Sequence, residues 1–144
     1  MAITTNAIAS SFKKELLEGK HDFTASTGSA FKLAMYNSNA VLGKSTTSYT
    51  TGSEVTSPAG YTAGGKALVN TGTSVASSVA ITNFSNLSFT NVTLTARGAL
   101  IYNTSNANTA VAVLDFGGDK TATSGTFTIQ FPAFTTSAAI LRIS

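Results

Sequence analysis

Cysteine is missing from the 144-residue chain, which excludes disulfides and thiolate metal sites. That absence is neutral about compartment. A chain of this length buries roughly 70% of its unfolded surface and needs no covalent staples in either redox environment. Charge is scarce as well: Asp, Glu, Lys and Arg make up 10% of the residues, against about 25% in ordinary domains. Tryptophan is absent and there is a single histidine. No run approaches the roughly 20 apolar residues of a membrane span. The amino terminus lacks the basic segment and apolar core of a secretory signal. The expectation is a product of the cytoplasm that leaves only within a larger particle.

What fills the chain is apolar residues at 42%, close to the usual globular share, together with Ser, Thr, Gly, Ala and Asn. Ser and Thr suit a sheet surface, because Thr favours extended backbone and both satisfy hydrogen bonds locally. A surface so poor in charge has little electrostatic defence against association. It is either a generic β surface or that of a protein packed against partners. The net charge is +3 from nine basic residues. Lys13, Lys14 and Lys20 lie near the amino end and the rest are scattered. Neutralising several phosphates takes a clustered basic face, so direct nucleic-acid binding is not expected.

One segment, TTNAIASSFKKELLEGK, reads as a helix over about residues 4–18. Thr4, Thr5 or Asn6 can cap it, Ile8, Phe12 and Leu16 line one face, and Gly19 stops it. Lys14 and Glu18 can pair on the outer side. Beyond it the texture turns to alternation and turn clusters. Phe31, Leu33 and Met35 predict a half-buried strand. Val41 to Gly65 predicts a long loop or short edge strands, in which Tyr49 and Tyr61 stand out. Strands are expected at Ala67–Val69 and Val79–Phe84. Leu87 and Phe89 alternate, and the parity shift at Val92 implies a turn or bulge around Thr90 and Asn91. Ala99–Tyr102 and Val111–Phe116, separated by NTSNANT, read as a hairpin. Thr126–Phe131, ended by Pro132, and Ala139–Ile143 complete the set. About eight short strands with regular turns and no strand–helix alternation indicate one all-β domain over residues 1–144, its strands running from about 30 to 143.

The chemical motifs dissolve on inspection. In LDFGGDK, Leu114 to Lys120, the Asp-Phe-Gly of protein kinases lacks its glycine-rich loop, strand lysine and catalytic loop. The simpler reading is a turn: Asp115 and Phe116 close a strand, Gly117 and Gly118 permit positive φ, and Asp119 caps it. GYTAGGK lacks the Gly-Lys-Ser/Thr ending and the helix of a phosphate loop. His21 follows the helix end, where a cation is favoured, and no Gly-x-Ser-x-Gly elbow accompanies it. The six carboxylates are too dispersed for a calcium loop or a glycosidase pair. No enzyme, metal or cofactor is expected.

The stretches AIASSFKKELLEGKHDF, FKLAMYNSNAVLG, GYTAGGKAL, LTARGALIYN, AVAVLDFGGDK, FTIQFPAF and AILRI, taken in order, resemble a family of small phage and prophage virion proteins. The likeness is to cement, or decoration, subunits on the outside of tailed-phage capsids. It implies an antiparallel jelly-roll-like β-sandwich with a short amino-terminal helix and no catalytic residues. It also implies the major capsid protein and copies of the chain itself, as dimer or trimer, as partners. The implied place is the capsid exterior, after assembly in the host cytoplasm. The helix, with Phe12 and Lys13, and the Val41–Gly65 segment, with Tyr49 and Tyr61, are the candidate contact regions. The two tyrosines are either rigid contact side chains or loop aromatics tucked against the sheet. Arg97 pairs with a capsid carboxylate or with Asp115. A tail or receptor-binding, carbohydrate-binding component is the alternative, which the absence of Trp disfavours. A small hydrolase rests only on the lone histidine.

Overall fold

The computed structural model describes residues 3–4, 6–56 and 60–144. Thr5 and Pro58, read above as a possible helix cap and as part of the long loop, lie outside the described residues. The chain forms β1 (Ala7–Ile8), α1 (Ser10–Leu17), β2 (Phe31–Tyr36), β3 (Lys66–Ala67), β4 (Asn70–Ala76), β5 (Val79–Phe84), β6 (Leu87–Asn103), β7 (Thr109–Ile129) and β8 (Leu141–Ile143). A five-stranded sheet is ordered β1-β7-β6-β2-β3 and a three-stranded sheet β4-β5-β8. All their pairings are antiparallel, so the all-β expectation holds.

The helix is shorter than the sequence suggests. Ala7 and Ile8 pair with Val113 and Ala112 in β1, so they are extended, and helix begins only at Ser10. Ala9 stands at the N-cap and offers no side chain to cap with. The amide of Ser10 is satisfied by the Lys44 carbonyl, and that of Ala9 by Val111. Asn6 accepts a hydrogen bond from the Asp115 amide, tying the amino-terminal strand to β7. A tertiary ladder has displaced the local helix signal. Phe12 is buried and Leu16 partly so, whereas Leu17 is 92% exposed.

The β6–β7 pair is the frame. The expected hairpin around residues 104–108 is present, and what reads as separate short strands fuses into two long ones. The parity shift proves to be a bulge: register slips between Phe89 and Val92, with Asn91 at φ 52°. LDFGGDK is not a turn between strands. β7 runs through it, and residues 116–119 bulge opposite Arg97, between the pairs Gly98–Asp115 and Ala96–Lys120. Gly117, at φ 80°, supplies the left-handed residue. Asp115, not Asp119, braces it by accepting from the Gly117 amide at 2.8 Å.

β2 is buried on both faces, not half-buried. Ala34 and Tyr36 are as inaccessible as Leu33 and Met35, because the 41–65 loop covers the second face. The two sheets meet through aromatic rings. Phe31 of β2 lies 5.7 Å from Phe84 of β5, and Phe23 stacks on Phe31 at 4.7 Å. Residues 70–76 form a strand that periodicity missed, since NTGTSVA has no alternating apolar set. Sheet pairing with β5 makes it a strand.

The β4–β5 connection is a two-residue loop in which Ser77 and Ser78 both hold positive φ, 50° and 64°. Such a turn favours Asn-Gly. Replacing Ser77→Asn and Ser78→Gly together is expected to raise stability by roughly 0.5–1 kcal/mol. Urea unfolding checks it; a loss of stability would contradict the turn assignment.

Candidate contact surface

The five side chains singled out from sequence fall in three places. Phe12 and Lys13 lie on α1, Tyr49 and Tyr61 in the 41–65 loop, and Arg97 in β6. Phe12 and Tyr61 are buried within the chain, Tyr49 and Arg97 are partly covered, and Lys13 is exposed. Arg97 donates to Asp115 across the β6–β7 ladder, so the internal partner of the two considered is the one it takes. The Asp115 carboxylate also holds Gly117, and the bulge and the guanidinium form one unit.

The loop tyrosines belong to a cluster centred on Glu54. Glu54 is 6% exposed, and its carboxylate collects three donors. Tyr49 donates to Oε1 at 2.6 Å, and Tyr61 and the Gly64 amide donate to Oε2 at 2.6 and 2.7 Å. A carboxylate only accepts, so these bonds are of the strong, charge-assisted kind. Tyr61 in turn accepts from the Met35 amide at 2.9 Å. Tyr102 donates to the Gly64 carbonyl at 2.5 Å and stacks on Tyr49 at 4.7 Å between centroids. Tyr36 donates to the Thr50 carbonyl at 2.6 Å. All four tyrosines of the chain thus converge on this one region. Gly64 and Gly65, at φ 95° and 80°, bend the backbone into it; a Cβ on Gly65 would lie 1.8 Å from the Leu33 carbonyl oxygen. Sequence reading picked out Tyr49, Tyr61 and the glycine pair but not Glu54. An isolated glutamate among Ser and Thr gives no periodic signal.

His21, also buried, closes a second polar knot behind α1. The Asn103 carboxamide oxygen accepts from the Ser105 amide, which turns its Nδ2 toward His21 Nδ1 at 3.0 Å. His21 Nδ1 is therefore the acceptor, and Nε2 carries the hydrogen toward Glu15 Oε1, 3.3 Å away. The ring packs on Phe12 at 4.7 Å. This arrangement fixes the helix to the β6–β7 turn.

In front of that knot lies an apolar groove of about 750 Å³ between α1 and the three-stranded sheet. Phe12, Lys13, Leu16 and Leu17 form one wall, and Ala80, Ile81, Leu141 and Ile143 the other. Its rim exposes Leu17 and Ile143, the latter by 58%. Two of the sequence-named contact residues, Phe12 and Lys13, therefore line one groove, while Tyr49 and Tyr61 sit in the Glu54 cluster. Among the described residues no three His, Asp or Glu side chains gather as a metal would require. No helix among them is long and apolar enough to cross a membrane. The chain matches no family model, no curated protein and no solved structure.

Burial raises the pKa of all four tyrosines above 10.0, and for Tyr49 and Tyr61 the hydrogen bond to Glu54 adds to it. Below about pH 10 the phenols are neutral in both folded and unfolded chains, and their stabilising contribution is complete. Above it the unfolded chain releases protons that the folded one keeps, so stability falls as pH rises. Tyrosinate absorbance is expected to stay low above pH 10 and then appear together with the loss of β-sheet circular dichroism. Smooth titration near pH 10 in an intact fold would contradict the cluster.

Proposed function

We propose that the protein is a cement, or decoration, subunit that binds the outer surface of a tailed-phage capsid and strengthens contacts between major capsid subunits. In this reading the two sheets are a jelly-roll-like β-sandwich. The protein is a binding subunit and not an enzyme, held at the capsid exterior after assembly in the host cytoplasm. The observation that carries the reading is the surface itself. Residues 67–96 contain no charged side chain, and they build β4, β5 and half of β6, with Val69 and Val75 exposed. A soluble monomer normally relies on mixed charge for its solubility; a subunit packed at high copy number against a shell does not. The ordered resemblance of the sequence to virion proteins supports the same conclusion.

The mechanism is linkage: a subunit that binds the assembled shell and not its separated parts stabilises assembly by mass action at every copy. The loop segment, pinned through Glu54, and the groove along α1 are the contact regions. Because both are held by internal hydrogen bonds before contact, binding orders little additional chain.

Quantitative mass spectrometry of virions purified from a phage that encodes this chain is expected to find a copy number comparable to that of the major capsid protein. A small fraction of that number would place the protein in the tail, and absence from particles would refute the virion reading.

A further inference from the structure

β4 is an edge strand without the features that keep an edge single. Natural edges are short, covered, or carry lysine or proline. β1 and β3 have two residues each and β8 has three. Of the edges they leave free, that of β7 carries Asp119 and Lys120, and that of β6 lies against Gly60 and Lys66. β4 has seven residues, none charged and none proline, and every residue from Thr73 to Ala76 is exposed. The irregularity at Gly72, between Asn70 and Thr73, interrupts only its first half.

The adjoining turn decides which backbone groups face outward. Ala76 and Val79 flank the two-residue loop and form the hydrogen-bonded pair; alternation makes Ser74 and Ile81 the next. The N–H and C=O groups of Thr73 and Val75 therefore point away from β5. Among the described residues no other segment pairs with them. The Val75 side chain, 69% exposed, shares a face with Thr73.

We propose that β4 pairs antiparallel with β4 of a second copy of this chain, about a two-fold axis at Ser74. The two small sheets then become one, ordered β8-β5-β4-β4-β5-β8. Thr73 of each copy lies opposite Val75 of the other, and each such pair exchanges both backbone hydrogen bonds. Ser74 meets its own counterpart on the axis. A second copy suits this edge because an antiparallel edge is self-complementary under two-fold symmetry. The uncharged stretch also lets two chains of net charge +3 meet there without opposing like charges. Val75, otherwise left in water, gains a cross-strand neighbour. The proposal concerns self-association and does not depend on the capsid reading.

Sedimentation velocity of the full chain over a concentration series tests it, with two variants. Val75→Pro removes only an outward N–H and leaves the β4–β5 ladder intact. Ser74→Lys keeps every backbone bond but sets like charges face to face across the axis. The wild type is expected to dimerise and Val75→Pro to remain monomeric with unchanged circular dichroism. Ser74→Lys is expected to dimerise about tenfold more weakly at low salt, the loss shrinking as salt is added. If the proline variant fails to fold, the lysine variant decides. A wild type that stays monomeric up to about 1 mM, or a dimer indifferent to Ser74→Lys, overturns the proposal.

Discussion

A carboxylate taken out of water must be compensated, and Glu54 sets that demand at the centre of this protein. Leaving it without donors would cost several kcal/mol, on the order of what holds a whole domain together. The donors come from one loop: Tyr49 five residues before it, Tyr61 and Gly64 after it. Meeting the demand therefore folds the 41–65 segment around its own glutamate. The same phenol that serves Glu54 takes the Met35 amide, and Val55 donates its amide to the Met35 carbonyl. The loop is thereby fastened to β2, and the second face of β2 is closed.

From that closure follows the division of the molecule. The five-stranded sheet is covered by the loop on β2 and by α1 on β7, with β1 paired along the edge of β7. The three-stranded sheet joins it through Phe31 and Phe84 and keeps the free edge of β4 and the groove along α1. The polar clusters are internal and already paired: Glu54 with its phenols, His21 with Asn103 and Glu15, Arg97 with Asp115. Of the exposed apolar side chains, Leu17, Val75 and Ile143 lie beside the small sheet, whereas Val41 lies in the loop.

Much of this was legible in the sequence where the period of apolar residues decides structure. The β2 and β5 runs, the two ends of β7, the hairpin at NTSNANT and the slip near Asn91 could be read from apolar spacing and turn composition, although the alternation in β2 did not show that its second face is buried too. Three features could not. The residues before Ser10 look helical by spacing, yet their pairing with β7 is a long-range choice that local propensity does not encode. The glycines of LDFGGDK signal a left-handed residue but not whether the chain reverses or bulges, which depends on Asp115 and Lys120 both finding partners on β6, Gly98 and Ala96. β4 carries no apolar alternation, since little of it is buried. At the site, Tyr49, Tyr61 and the Gly64–Gly65 pair were visible as unusual residues in a loop. Only their convergence on Glu54 explains them, and convergence is a three-dimensional fact.

Glu54→Gln is the most direct measurement of that account. It preserves volume but removes the charge and one of the two acceptor oxygens, so the phenols and the Gly64 amide lose a charge-assisted acceptor. Urea unfolding is expected to show a loss of about 2–3 kcal/mol, the scale of hydrogen bonds to a charged group. A change within about 0.5 kcal/mol, the range of an indifferent surface substitution, would contradict the claim that Glu54 organises the loop.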